Sequence, residues 1–149
     1  MRIYIPLTLS DLSAPRVSAR RVHAVTAELR AMITDEDNEG YEYIATLAAA
    51  DDSLRLLDKN STLPLRRVVG VAEVADNIVR PVRQPQLPTE QDVIADLEWN
   101  EIESFHIDAP GSESLVARAL NGDEEAFLAT GDIELLWYDI SERQHLSFD

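Results

Sequence analysis

The chain has 149 residues, of which 45% are hydrophobic, and its formal net charge is −15 because 28 acids face 13 bases. This length fits one folded domain, and this composition is normal for a globular protein. The chain contains no cysteine, which excludes disulfides, thiolate zinc sites and thiol nucleophiles. The acidic balance disfavours nucleic acids and anionic membranes as partners, since both are negatively charged.

The negative charge is unevenly distributed along the sequence. Residues 34–62 carry eight acids against two bases, and residues 86–149 carry sixteen acids against two bases. Residues 1–33 and 63–85 together carry nine arginines and four acids, so they are mildly basic. Net charge governs solubility and association more than fold. The distribution therefore predicts an acidic surface that is suited to a basic protein partner.

Hydrophobic periodicity, caps and turn residues predict the elements of the first half of the chain. Thr8 and Asp11 have capping-box spacing for one helical turn, Thr26 is placed to cap a short helix, and Thr34 begins the clearest helix start signal. The predicted strands span 2–7, 21–25, 66–75 and 78–82, and the predicted helices span 27–33 and 36–58.

The second half begins with an extended linker over 81–89, in which Pro85 and Pro88 form a PxxP pattern. The predicted strands that follow span 92–99, 104–108 and 133–140, and the predicted helices span 113–120 and the turns after Asp123. Trp137 and Tyr138 are expected to point to opposite sides of the last strand. Residues 141–149 are expected to be loose.

These elements predict an α+β fold, with a mixed β-sheet and helices packed on one face, in a single compact domain over residues 1–149. The order of elements also indicates two pseudo-symmetric βαβααβ-like halves, over 1–80 and 90–140, joined by the linker. His23 and His106 fall at matching places in these halves. A domain without internal duplication is the alternative.

His106, Asp108 and His23 are the candidate site residues. His106 and Asp108 stand two apart on a predicted strand, so both side chains should point to the same face. With His23 they could form an acid–base group or a His/His/carboxylate metal site. The alternative is that both histidines are ordinary strand residues with satisfied ring nitrogens. No further ligand is placed by spacing, so no metal and no cofactor is predicted.

Other residue patterns carry no chemistry of their own. The acidic runs at 35–37 and 123–125 suit the positive ends of helix dipoles and lack the glycine turn and closing glutamate of a calcium loop. No serine lies in a Gly-x-Ser-x-Gly elbow, and the five glycines form no phosphate-binding loop.

Five segments of the sequence resemble a known family. They are residues 1–6 (MRIYIP), 24–30 (AVTAELR), 53–57 (SLRLL), 66–69 (RRVV) and 135–138 (LLWY). Over most of its length the chain resembles an uncharacterised actinobacterial family of small acidic proteins, a domain of unknown function. The resemblance implies a bacterial cytoplasmic protein and carries no activity, substrate or catalytic residue.

Three functional hypotheses are open. The first is a non-enzymatic interaction or regulatory module of the cytoplasm that presents an acidic surface to a basic protein. The alternative is a small hydrolase or other acid–base enzyme centred on His106 and Asp108. The third is a DNA mimic, whose carboxylates would be spaced like phosphates. Cytoplasmic location is expected because no signal-peptide pattern or apolar run of about 18 residues is present.

Overall fold

The structure of the protein, a computed structural model, describes residues 1–147. Within this range the strands are β1 (Arg2–Leu7), β2 (Arg21–His23), β3 (Val68–Glu73), β4 (Val79–Pro81), β5 (Glu90–Val93), β6 (Ile102–Asp108) and β7 (Leu135–Asp139). The α-helices are α1 (Ala27–Met32), α2 (Asn38–Leu56), α3 (Glu113–Leu120) and α4 (Glu124–Ala129). Short 3-10 helices span Ser10–Ser13, Asp76–Ile78, Trp99–Glu101, Thr130–Asp132 and Ile140–His145.

The α+β class is confirmed, but the sheet is antiparallel rather than mixed. Its strands lie in the order β4-β5-β2-β1-β3-β6-β7, and all the described strand pairs are antiparallel. The helices between β2 and β3 suggest a parallel pair. These two strands do run in the same direction, but β1 lies between them and pairs with both.

Strand pairing does not follow the predicted repeat. In the first half, β1 is central and pairs with β2 and β3. In the second half, β6 pairs with β7, whereas β5 pairs with β2 and β4 on the far side of the sheet. The two halves share an order of elements, but their strands do not pair in an equivalent way. The reason is that β5 pairs with strands from the first half of the chain.

The longest helix, α2, packs on one face of the sheet, as predicted. Tyr4, Val69 and Val71 form a buried cluster there with three alanines of α2, which are Ala45, Ala49 and Ala50. The small alanine side chains let the helix lie close to the strands. Helices α3 and α4 pack against the C-terminal part of α2 through a second cluster, made of Leu54, Val116, Ala119 and Ala126. No helix within residues 1–147 is long and apolar enough to cross a membrane.

Loops and 3-10 helices cover the opposite face. The larger core cluster lies here, and among its members are Ile3, Ile5, Leu7, Leu12, Leu97, Trp99, Phe105 and Ile107. Residues 140–145, which the sequence predicts to be loose, form a 3-10 helix instead. Arg143 holds it in place, since its guanidinium stacks 4.4 Å from the Trp99 ring centre and donates to the Leu12 carbonyl at 2.6 Å. Residues 148–149 of the predicted tail lie outside the described residues.

Two other elements have bounds that differ from the prediction, a helix and a strand. Helix α2 begins later than predicted because Asp37 caps it, accepting a hydrogen bond from Gly40 N at 2.7 Å. The strand predicted over 92–99 ends at Val93. Beyond it, Leu97 forms only an isolated bridge with Val17. Short-range alternation predicts strand character, but it does not identify the partner that a strand needs.

A buried ion pair joins the residue before β3 to the end of β6. Arg67 donates from Nε to Asp108 Oδ2 at 3.0 Å and from Nη2 to Oδ1 at 2.9 Å, and its backbone N–H donates to Oδ2 at 2.7 Å. Arg67 Nη2 also reaches the Thr130 carbonyl at 3.0 Å, beyond α4. The two charged side chains are 1% and 0% exposed. Arg67, held by Asp108, therefore links the sheet to the helical layer.

We expect Asp108→Asn to destabilise the protein by about 3–5 kcal/mol, because the substitution leaves the Arg67 charge buried without its counter-ion. The free energy of unfolding, measured in urea, tests this. Asp132→Asn is the matched control, since Asp132 is exposed and should change stability by less than about 0.5 kcal/mol. A loss below about 1 kcal/mol for Asp108→Asn would contradict the role given to the pair.

Candidate functional site

His106 and Asp108 lie on the same face of β6, as their spacing predicts, but they occupy different surroundings. His106 is opposite Val69 and Trp137, and Asp108 is opposite Leu135. Burial lowers the pKa of His106, and the charge of Arg2 lowers it further. The Asp108 carboxylate is engaged by Arg67. No hydrogen bond between His106 and Asp108 is found in the described part of the chain.

His23 does not join these two residues. It lies opposite Tyr4 on β1, so β1 and β3 separate it from β6. Three strand spacings amount to about 14 Å, too far for a shared ligand or proton. Within residues 1–147 no three acidic, histidine or cysteine side chains are placed to hold a metal ion.

His23 instead belongs to a different group of side chains, which no pattern in the sequence predicts. Its ring is buried, with Nε2 at 2.6 Å from Asp52 Oδ2 and Nδ1 at 2.7 Å from Thr89 Oγ1. An ionised carboxylate can only accept, so Nε2 donates to Asp52. These residues come from β2, α2 and the loop before β5. Only the tertiary structure brings them together, and no local pattern signals the contact.

Asp52, His23 and Thr89 are hydrogen-bonded in the order carboxylate, imidazole, hydroxyl, and this is also the order of groups in a nucleophilic triad. A nucleophile must reach its substrate, but both His23 and Thr89 are buried, and neither lines a described cavity. Thr26 closes the surface nearby by donating its hydroxyl hydrogen bond to the Pro88 carbonyl. The group therefore positions Asp52 rather than activating Thr89.

Asp52 connects this buried group to the surface, because it also lines an open cleft of about 940 Å³. The cleft lies where β1 and β2 meet the C-terminal half of α2, and the loop before β5 forms a further wall. Its lining residues are Pro6, Thr8, Asp11, Ser18, Arg20, Arg21, Asp52, Arg55, Leu56, Gln86, Leu87 and Glu90. Three arginines face three carboxylates here, so the cleft is locally neutral in a protein of charge −15.

The most exposed charges in the cleft are positive. Arg21 and Arg55 are 43% and 58% exposed, whereas the carboxylates that line the cleft, Glu90, Asp11 and Asp52, are 9%, 25% and 28% exposed. Asp92, which pairs with Arg21 from outside the lining, is 38% exposed. Arg20 differs from both, because its donors are taken up by the Pro6 carbonyl, Asp11 and Ser18. Two guanidinium groups on separate walls thus remain open to a ligand, while the carboxylates hold them in place.

Both exposed arginines retain donor groups. Arg21 uses Nε toward Asp92 at 2.7 Å and Nη1 toward Glu90 at 3.4 Å. Arg55 uses Nη1 toward Asp52 at 2.7 Å, and its guanidinium lies 5.6 Å from the Phe127 ring centre. Neither Nη2 has a hydrogen-bond partner within residues 1–147. A guanidinium with free N–H groups can bind a carboxylate or phosphate oxygen.

The ionisation of Asp52 keeps this arrangement together. Burial favours the neutral carboxyl, but hydrogen bonds and positive charge from His23 and Arg55 outweigh burial and lower the pKa of Asp52. An aspartate whose pKa is lowered on folding stabilises the protein above its unfolded pKa of about 3.9. That stabilisation is lost as pH falls through the folded pKa.

We expect Asp52→Asn to lower the free energy of unfolding by about 1–2 kcal/mol at pH 7, since it removes the negative charge that His23 and Arg55 contact and replaces one acceptor oxygen by a donor. The gap between wild type and variant should close as pH falls below about 3.9. Urea unfolding from pH 7 to pH 3 measures it. Asp35→Asn, which changes an exposed acid, should show no such gap. A gap that widens toward low pH would contradict the lowered pKa.

Comparison with known proteins adds a family but no activity. A family model with the description "Family of unknown function (DUF6912)" matches residues 1–146. Searches of curated proteins and of solved structures gave no match. The matched range contains every strand and helix described above, together with the whole lining of the cleft. The chain therefore belongs to DUF6912, a family of unknown function.

Proposed function

We propose that the protein is a non-enzymatic binding module with a regulatory role, and that the cleft beside α2 receives a small organic anion. The observation that carries this proposal is that Arg21 and Arg55 are more exposed than the three carboxylates that line the cleft. An entering anion meets guanidinium groups first. A group with two oxygens, such as a carboxylate or a phosphate, can accept hydrogen bonds from both walls.

The apolar part of the cleft indicates the rest of the ligand. Leu56 and Leu87 are among the few large hydrophobic side chains that are exposed, and both line the cleft. Pro6, a buried residue of β1, lies behind them in the cleft wall. A ligand that combines an anionic group with an apolar body would bury these side chains, and apolar burial is the main source of affinity in such clefts.

Binding is favoured over catalysis by the state of the hydroxyl groups in the cleft. Thr8 Oγ1 is hydrogen-bonded to Asp11, and Ser18 Oγ accepts from Arg20. The hydroxyl that does contact a histidine, that of Thr89, is buried. An exposed nucleophile beside a base, which nucleophilic catalysis needs, is not found among the lining residues.

We place this function in the cytoplasm of an actinobacterium. The support is the sequence likeness described above, together with the choice of basic residues, since arginine outnumbers lysine twelve to one. Such a composition is typical of GC-rich coding.

Hexanoate, benzoate and phenyl phosphate are suitable probes, because each joins an anionic group to an apolar body. We expect a saturable rise in melting temperature. At ten times Kd the stabilisation is about 1.4 kcal/mol, or about 3–5 °C for a domain of this size. Arg21→Gln with Arg55→Gln should abolish the rise, since both anchoring charges are removed.

Two sets of controls separate site binding from general effects. Hexanol and inorganic phosphate each carry one half of the proposed ligand, so each should shift the melting temperature less than hexanoate or phenyl phosphate does. Arg83→Gln changes an exposed arginine outside the cleft and should leave the rise intact. An equal response of Arg83→Gln and of the double variant would overturn the proposal.

A further inference from the structure

Strand β7 leaves one edge of the sheet open, at the end remote from the cleft. Ala109 N donates to Glu134 O at 2.9 Å and so extends the β6–β7 ladder. In an antiparallel pair, hydrogen-bonded residues alternate with residues whose N–H and C=O point outward. By this alternation the backbone groups of Leu135 and Trp137 point to the free edge, where the described residues offer them no backbone partner.

The β7 edge lacks the features that usually protect such an edge. Its sequence, LLWYD, has neither proline nor lysine, and the Trp137 side chain is 59% exposed. The opposite edge, β4, has three residues and ends in Pro81. Proline, lysine and shortness are the common means of blocking strand addition. Of the two edges, only β7 is thus open to another strand.

The charge around β7 identifies the kind of strand that fits. Exposed acids lie before the strand and after it, at Asp132, Glu134 and Glu142. Three arginines of neighbouring elements are engaged elsewhere, Arg2 with Glu103 at 2.7 Å, Arg67 with Asp108 at 2.9 Å and Arg143 with the Leu12 carbonyl. A basic strand would be attracted here, whereas a second copy of this chain would bring like charges together.

We propose that the free edge of β7 binds an extended, basic segment of a partner protein by strand addition. The backbone of that segment pairs with Leu135 and Trp137, one of its apolar side chains covers the Trp137 ring, and its lysines or arginines face the flanking acids. Backbone pairing supplies affinity, and the acids select for positive charge. This surface is independent of the cleft and of the small anion proposed for it.

A heptapeptide of alternating lysine and valine is the probe, and Trp137 is the reporter, since the other tryptophan, Trp99, is buried. We expect a saturable change in tryptophan fluorescence that weakens with salt. The same peptide with every backbone nitrogen methylated keeps its charge but cannot form the ladder. Its affinity should fall about tenfold or more. This comparison leaves the protein unchanged.

Protein variants test the two other parts of the proposal, with calorimetry as the readout. Trp137→Ala should weaken binding about tenfold, and Asp132→Asn with Glu134→Gln about two- to fivefold. Leu128→Ala, which removes another exposed apolar side chain, should have no effect. Equal affinity for the methylated peptide, or for a peptide with glutamate in place of lysine, would overturn the proposal. So would a dimer in sedimentation that Trp137→Ala dissociates, because a second copy would then occupy the edge.

Discussion

The charged pair between Arg67 and Asp108 is the contact on which the rest of the structure depends. It lies where the ends of β3 and β6 meet the turn after α4, and water does not reach it. Removing two charges from water is costly, so the pair needs close geometry and several hydrogen bonds to persist. Three donors of Arg67 supply them. The pair thereby holds the β3–β6 register that places His106 opposite Val69.

The central strands separate two surfaces that differ in charge. On the β2 side, Arg20, Arg21 and Arg55 gather in a cleft that is locally neutral. On the β7 side, acids from the C-terminal part of the chain border an exposed tryptophan. The uneven charge along the sequence thus becomes an uneven charge across the sheet. The two ligands that we propose, a small anion at the first surface and a basic strand at the second, would therefore bind at separate places and would not compete.

Elements whose signals lie within a few residues were predicted well. Helix α3 and strand β1 have the predicted bounds, and Thr26 caps α1 as expected, since caps and periodicity act locally. Errors occur where a distant contact decides. Residues 140–145 form a 3-10 helix because Arg143 contacts the Trp99 ring. The strand predicted over 92–99 ends at Val93 because Leu97 pairs only with Val17. Tyr138 packs on Phe105 while Trp137 faces outward, as alternation predicts.

The sequence by itself determined the α+β class, most helices and strands, the placement of His106 and Asp108 on one face, and the uneven charge. Each of these follows from composition or from short-range periodicity. Only the tertiary structure decided the partners of the candidate residues. His23 meets Asp52 and Thr89 rather than His106, and Asp108 meets Arg67. Such contacts depend on the order of the strands and on the position of α2 on the sheet. Both are set by the packing of the whole chain around its core.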